Sequence, residues 1–298
     1  MTLPQQGIDI VIVSRRGASA VQNVIMDTQK NPLFWLKSSF TIVFDEMPEE
    51  AAKLSEWYKS LVESIPLPRI NIINIDGRRG DLNYLRAQGL EKGSLPFVYF
   101  QDDDDDLPIN VEVILKILNE EPDLHAVFGV TESINTRYQI VEQYPVITQD
   151  GHFKVDPVEG TRWFPTYPHP SAGVFRRKIF GSFSYYTDKL YRVCGNGAFL
   201  MQLLNGGGHI VFIPYVIRRV LLHETNMTPP VLDESIRNAL ALDIETWQEY
   251  ITNHEVKMFQ NKIIDRLKNR EITSFKEIDA MVEERVEKVA KGESPSAV

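Results

Sequence analysis

The sequence is poor in the residues and segments that mark several classes of protein. It contains one cysteine, Cys194, so it cannot form an internal disulfide or a cysteine-rich zinc site, and this favours a reducing compartment. No apolar run approaches the roughly 20 residues that a membrane-spanning helix needs. The first residues also lack the charged-then-apolar layout of a secretory signal peptide. We therefore expect a soluble cytoplasmic protein.

Basic residues are also in short supply. The 298 residues include 32 lysines and arginines against 41 aspartates and glutamates, which gives a formal net charge of −9. Because nucleic acids attract basic surfaces, this balance argues against a nucleic-acid partner. Hydrophobic residues make up 43% of the chain, as expected for a folded protein, and the length allows one large or two small domains.

The first half alternates between apolar runs rich in β-branched residues and segments with helical spacing. The runs are short and bounded by turn residues, which is typical of strands buried on both faces. They comprise residues 8–13, 40–44, 70–75 and 97–100. Alternating strands and helices predict a parallel sheet with right-handed crossovers, whose ligand binds beyond the carboxyl ends of the strands. Ser14, Asp45 and Asp102 would meet at that edge.

The second half differs from the first. Residues 126–175 are rich in turns and aromatic side chains, whereas the chain from Asp233 onward has helical spacing almost to its end. Mixed charges on these last helices disfavour a membrane-surface role, since helices lying on lipid are usually basic on their polar face. A homodimer formed through the C-terminal helices is the alternative.

Five consecutive aspartates, Asp102 to Asp106, directly follow an apolar strand and lead into Leu107-Pro108. Most charge runs are solvated loops, and this one allows the same interpretation. Here, however, five like charges at a tight connection repel one another unless a cation neutralises them. Carboxylate oxygens favour Mg²⁺ or Mn²⁺, especially where phosphate oxygens complete the coordination shell. The run therefore predicts a metal–phosphate site with Asp102 and Asp104 on the same side.

In their order along the chain, these features resemble the GT-A glycosyltransferases of the family 2 type. Strand ends at Ser14 and Asp45 precede the helical segment Arg86-Ala-Gln-Gly-Leu90 and the strand ending in the aspartate run. Later matches are the segments 171–177, 195–214 and 223–228. The resemblance implies an α/β fold of the GT-A, Rossmann-like type, a mostly parallel sheet flanked by helices. It spans about residues 8–228 and leaves a C-terminal helical appendage outside.

The resemblance also implies roles for the matched residues. Ser14, Asp45 and Arg86 would hold the nucleobase and ribose of a nucleotide-sugar donor, which we expect to be a UDP-sugar. Asp102 would touch the ribose or the metal shell, and Asp103 would also bind the donor. Asp104 would bind the Mn²⁺ or Mg²⁺ that bridges the diphosphate, and His223 would meet the metal or the diphosphate from the other side. Alternatively, Asp45 caps a helix, Arg86 pairs with a surface acid, and His223 is a satisfied strand-end histidine.

One position departs from the family. An aspartate that deprotonates the acceptor hydroxyl is expected where this chain has Asn196, and an amide cannot take that proton. Three explanations compete. Asp188, the closest carboxylate in sequence, serves as the base; or the reaction retains configuration and the leaving phosphate takes the proton; or the protein binds a sugar nucleotide without transferring it.

The acceptor side is less specified. Trp163 offers a face for stacking on a sugar ring, although such aromatic residues are more often core. Arg176 would meet an acceptor phosphate or cap a helix, and His169, between two prolines, is either an acceptor contact or a loop residue.

These inferences predict a metal-dependent glycosyltransferase of the hexosyltransferase type, acting on a saccharide or other hydroxyl acceptor. Residues 1–230 would form the GT-A domain, with a nucleotide-binding half over 1–125 and an acceptor-binding half over 126–230, and residues 231–298 the helical extension. The alternatives are a non-catalytic sugar-nucleotide-binding protein and a nucleotidyltransferase, although Arg15-Arg16-Gly17 is a poor loop for a triphosphate.

Overall fold

The computed structural model of the chain describes residues 7–62, 68–77, 81–106, 111–164, 168–183, 196–222 and 231–293. The four apolar runs of the first half form parallel strands, as predicted, each one to three residues longer than its run. These are β1 (Ile8–Ser14), β2 (Ser38–Asp45), β3 (Arg69–Ile75) and β4 (Phe97–Asp102), in the order β3-β2-β1-β4. The helices of this half are α1 (Ala18–Thr28), α2 (Pro32–Lys37), α3 (Pro48–Val62) and α4 (Leu82–Lys92).

Continuous apolar runs form these strands because the sheet is covered on both faces. Along β1, Ile10 and Ile12 pack into a hydrophobic cluster on one face, while Val11 packs with Val98 and Phe100 on the other. All five side chains are at most 1% exposed. A strand buried on both faces needs no polar alternation, which explains the pattern read from the sequence.

The second half extends the sheet and makes it mixed. Its elements are β5 (Asp105–Asp106), α5 (Val111–Glu120), β6 (Ala126–Ile134), β7 (Ile140–Tyr144), α6 (Pro157–Trp163), β8 (Gly173–Arg176), α7 (Asn196–Asn205) and β9 (Ile210–Leu221). From β4 the order continues β8-β6-β9-β5, with β7 on β6. Strands β4 and β5 are consecutive in the chain yet lie at opposite ends of this series. The sheet therefore curls until the end of β4 meets β9.

Three helices complete the chain: α8 (Glu234–Trp247), α9 (His254–Lys268) and α10 (Phe275–Ala290). Side-chain caps mark two of their starts, since Asp233 accepts from Ile236 N at 2.9 Å and Asn253 accepts from Glu255 N at 2.8 Å. Their apolar faces share a hydrophobic cluster with α6 and α7, in which Trp247 and Phe164 are fully buried. The C-terminal helices thus pack in one hydrophobic cluster with α6 and α7.

None of the described helices combines the length and the hydrophobicity that crossing a bilayer requires.

Candidate functional site at the strand ends

The carboxyl ends of β1, β2 and β4 bring polar side chains together, as the sequence predicts. The register pairs Val13 with Asp102 and Ser14 with Phe44, so the strands end level with one another. Ser14 Oγ donates to Asp103 Oδ2 at 2.6 Å, and the backbone N–H groups of Arg15 and Arg16 each lie 3.2 Å from the same oxygen. Asp103 is therefore bound to the loop after β1.

Asp45 ends β2 as a buried carboxylate. Its side chain is 1% exposed, and Arg15 Nε donates to its Oδ2 at 2.5 Å. Asp45 lies three residues before the start of α3 at Pro48. Asp45 is thus paired with Arg15, a half-exposed residue of the loop after β1, at the strand ends.

Arg86 reaches the site from α4. The helix starts with Asp81 as its N-cap, which accepts from Tyr84 N at 3.0 Å. One turn after Arg86, Gly89 lets the helix lie close to the sheet, since a Cβ there would come within 2.5 Å of Val11 Cγ1. This close approach places the 3% exposed guanidinium of Arg86 against the strand ends.

Asp102 is bonded by two arginines. Arg86 Nη2 donates at 2.5 Å to one carboxylate oxygen and Arg218 Nη2 at 2.9 Å to the other. Burial alone would favour the protonated form, but the two guanidinium groups outweigh it and hold the pKa of Asp102 well below its usual range. Asp102 is therefore an ionised carboxylate and a weak base.

Arg218 also pairs with Asp105, near the other end of the aspartate run. Its Nε donates at 2.7 Å to Asp105, which is 5% exposed. Burial raises the pKa of Asp105, against the attraction of Arg218. Part of the charge of the aspartate run is therefore balanced by arginines, which pair with Asp102 and Asp105.

The pairing of β5 with β9 explains why the sequence did not predict a role for Arg218. Asp105 lies opposite Val220 and Asp106 opposite Arg219, an antiparallel register between segments more than 100 residues apart. A two-residue strand leaves no periodicity to read. The adjacent charges Arg218-Arg219 inside an otherwise apolar strand were the only local signal.

Asp104 occupies the turn between β4 and β5. Its side chain is 25% exposed, and its Oδ2 lies 3.3 Å from Nη1 of Arg16. No group of three histidine, cysteine, aspartate or glutamate side chains suited to an ion occurs among the described residues. One carboxylate fits a divalent ion that is bound mainly by phosphate oxygens and water, as Mg²⁺ commonly is.

Asn196, the first residue of α7, lies within the same network. Arg86 Nη1 donates to its Oδ1 at 2.9 Å, and its Nδ2 lies 2.9 Å from Nε2 of His169. A single guanidinium thus links the strand-end carboxylate Asp102 to the residue at the predicted position of the base.

His169 is held as a neutral imidazole. Burial lowers its pKa well below the usual range, Arg218 and Arg86 lower it further, and Asp102 opposes them. A histidine in the unfolded chain has a pKa of about 6.5, so between that value and the folded pKa only the unfolded chain takes up a proton. The folded state therefore becomes less stable, relative to the unfolded chain, as the pH falls.

We expect this linkage to be measurable. From pH 7.5 to pH 5.5 the free energy of unfolding should fall by about 1.4 kcal/mol more in the wild type than in His169→Asn, which has no titrating group there. Urea denaturation at the two pH values gives the difference. Equal falls in the two proteins would contradict the lowered pKa.

Trp163 does not lie at the acceptor side of this site. Its ring is 2% exposed, its Nε1 donates to Glu159 at 3.1 Å, and it packs edge-on against Phe259 at 5.4 Å with Arg285 over its face at 5.0 Å. The helices α9 and α10 therefore cover it. The structure replaces its predicted acceptor-binding role with a role in the core.

Arg176 is also placed elsewhere. It lies opposite Phe97, at the start of β4 and therefore at the other end of that strand from Asp102. Its Nη2 donates at 2.5 Å to the carbonyl of Leu118 and at 3.1 Å to that of Glu121. Arg176 caps the C-terminal end of α5, and its predicted contact with an acceptor phosphate is corrected accordingly.

Two predicted site residues, Asp188 and His223, lie outside the described residues. The predicted residues that the structure brings together are those at the strand ends and on α4 and α7: Ser14, Asp45, Arg86, Asp102, Asp103, Asp104 and Asn196.

Solved structures of S. aureus TarS have a similar fold. Its 1–349 fragment matches 89% of this chain and 71% of that chain, with a TM-score of 0.58 and 11% identity. The same fragment in complex with UDP-GlcNAc gives a TM-score of 0.56 and 12% identity over 89% of this chain and 72% of that one. A longer TarS structure is covered over 43% of its length and 89% of this chain, with a TM-score of 0.55 and 10% identity.

The likeness confirms the fold class predicted from the sequence: an α/β fold of the GT-A type. At 10 to 12% identity it carries the fold and not the activity. No protein-family profile matches the chain, and no curated protein sequence matches it.

Proposed function

We propose that the chain is a glycosyltransferase that moves a sugar from a nucleotide-sugar donor, a UDP-sugar, to a hydroxyl acceptor. The observation that carries this proposal is the convergence of Ser14, Asp45, Arg86, Asp102 and Asp104 at the carboxyl ends of parallel strands, where ligands of such sheets bind. TarS, which shares the fold, has been solved with UDP and with UDP-GlcNAc, and this supports a UDP-sugar as the donor.

The donor's nucleoside would bind between the loop after β1 and the end of β2. The Asp45 carboxylate, 1% exposed and held by Arg15, suits the hydroxyl or imide hydrogens of a uridine. The donor's diphosphate would lie toward Asp104 and Arg16, whose side chains are 25% and 45% exposed. Asp102 and Asp103 would then fix the loop geometry around the ribose.

The described residues fit a divalent ion that arrives with the donor. Asp104 would hold it together with the diphosphate oxygens, and Mn²⁺ or Mg²⁺ suits such hard ligands. His223, which lies outside the described residues, is the further ligand that the resemblance implies. When bound, the ion supplies Lewis-acid neutralisation of the charge on the leaving diphosphate. Arg16, whose Nη1 lies 3.3 Å from Oδ2 of Asp104, would add positive charge beside the leaving diphosphate.

The role of Asp104 can be tested by calorimetry with UDP. We expect Mn²⁺ to strengthen UDP binding to the wild type by about 10-fold or more and to leave binding to Asp104→Asn unchanged, since one oxygen ligand is lost. Asp106→Asn is the matched control, because it removes a charge from the same run and should respond to Mn²⁺ like the wild type. An Asp104→Asn protein that responds fully to Mn²⁺ would contradict the assignment.

Catalysis itself is tested by release of UDP from UDP-GlcNAc in the presence of Mn²⁺, with water as the acceptor. A transferase releases UDP by slow hydrolysis. The second candidate, a protein that binds a sugar nucleotide without transferring it, is favoured by the amide at Asn196 and would bind UDP without releasing it. UDP binding without any release would select this candidate, and absence of UDP binding would refute both.

A further inference from the structure

The pair formed by His169 and Asn196 has a defined hydrogen-bonding polarity. His169 precedes the 3₁₀ turn Pro170–Ala172, and its Nδ1 lies 3.2 Å from Ser171 N while its Nε2 lies 2.9 Å from Asn196 Nδ2. Both neighbours are donors, whereas a neutral imidazole accepts at one nitrogen only. Only one of these two contacts can therefore be a hydrogen bond to the imidazole.

The contact of Arg86 with Asn196 determines which of the two is the hydrogen bond. A guanidinium donates only, so the amide of Asn196 must present Oδ1 to Arg86 Nη1, 2.9 Å away, and turn its NH₂ group toward His169. This contact is shorter than that to Ser171 N, which lies at 3.2 Å. The favoured tautomer therefore carries its proton on Nδ1, and its Nε2 lone pair accepts from Asn196 Nδ2.

The other side chains around this point are poor proton acceptors. Asn196 has no basic atom, and Asp102 is stabilised as a carboxylate by Arg86 and Arg218. The charged groups that face His169 are Arg86 from α4, Asp102 from β4 and Arg218 from β9. Burial and the two arginines keep the imidazole neutral, against the attraction of Asp102. Its lowered pKa makes His169 a weaker base than an ordinary histidine, but it is unprotonated at neutral pH and its lone pair has a fixed direction, as proton acceptance requires.

We propose that Nε2 of His169 is the proton acceptor for the attacking hydroxyl, in the role that Asn196 cannot fill. The hydroxyl would enter between Asn196 Nδ2 and His169 Nε2 in place of their direct contact, accept a hydrogen bond from the amide and pass its proton to Nε2 of His169. Its electron pair would form the bond to the anomeric carbon, and the bond from that carbon to the diphosphate oxygen would break with its electrons on the departing UDP. The proton would then leave His169, which is partly exposed, for solvent.

This inference rests on the proposed function, and the first experiment separates the two. UDP affinity is measured by calorimetry, and UDP release from UDP-GlcNAc with Mn²⁺ is measured in the wild type, His169→Gln, His152→Gln and Asp188→Asn. We expect His169→Gln to lower the release rate about 100-fold or more with UDP affinity within twofold, because loss of a general base commonly costs this much. His152, on an exposed loop, is the matched histidine control and should keep the wild-type rate.

Two kinetic results would overturn the inference while UDP binding stands. One is a His169→Gln protein with the wild-type rate, most clearly if Asp188→Asn loses the activity instead. The other is a wild type that binds UDP and releases none. If the wild type does not bind UDP at all, the proposed function itself fails.

A second measurement needs no substrate and uses the folded wild type. Long-range ¹H–¹⁵N spectra distinguish the tautomers of the six histidines, and the signal missing in His169→Gln assigns His169. We expect a proton on Nδ1 in the wild type. In Asn196→Asp, whose carboxylate accepts from both Arg86 and His169, we expect the proton to move to Nε2. A proton on Nε2 in the wild type would overturn the proposal.

Discussion

Replacing Trp247 with alanine is expected to lower the free energy of unfolding by about 3–5 kcal/mol, the usual cost of removing a large buried aromatic side chain. Trp247 is fully buried, and its ring lies 6.1 Å from that of Phe164, which follows α6. It therefore joins the last three helices to the elements that precede them. Urea denaturation followed by fluorescence and by circular dichroism measures the loss.

The matched control is Leu242→Ala in the same helix. Leu242 is 50% exposed, so its removal should change the free energy of unfolding by less than about 0.5 kcal/mol. Because α8 also packs against α7, which carries Asn196, we expect the two probes to report one transition. Two separate transitions, with Trp247→Ala affecting only one, would show that the helical extension folds independently.

Replacing Arg218 with methionine is expected to have the largest effect at the site. Removing one partner of a buried ion pair costs about 3–5 kcal/mol, and here Asp102 and Asp105 both lose a partner. We expect the free energy of unfolding to fall by this amount at pH 8 and by less at pH 5.5. The pKa of Asp105 is raised by burial, so Asp105 takes up a proton as the pH falls. UDP affinity should fall about 10-fold or more, because the turn that bears Asp104 loses its support.

Arg219→Met distinguishes a role at the site from a loss of stability. Arg219 pairs with the buried carboxylate of Glu132 at 2.9 Å but is 39% exposed, and Glu132 keeps a bond from Gln143 at 3.0 Å. We expect a smaller loss of stability, about 1–3 kcal/mol, and an unchanged affinity for UDP. Equal losses of UDP affinity in the two variants would contradict a specific role for Arg218.

The sequence was sufficient to predict the strand ends because each depends on local information. Ser14, Asp45 and Asp102 each close an apolar run, and the alternation of strands and helices fixes which edge they share. The partners of these residues were not predictable in the same way. Arg218 reaches Asp102 only because β5 pairs with β9 and the sheet curls, and no local pattern encodes that contact.

Trp163 and Arg176 were predicted to bind the acceptor, and the structure places both elsewhere. Both residue types suit an acceptor site, but composition does not say which surface a side chain faces or what covers it. Trp163 is buried by helices that begin about 90 residues later, and Arg176 binds carbonyl groups at the end of α5. Their assignment needed the packing of distant elements.

The central claim is that the aspartates and arginines at the strand ends bind the nucleoside diphosphate of a sugar donor. A crystal structure with UDP and Mn²⁺ tests it most directly. We expect the uridine beside Asp45 and the loop after β1, with the diphosphate and the ion at Asp104. UDP bound on another surface, or no bound UDP at millimolar concentration, would contradict the account.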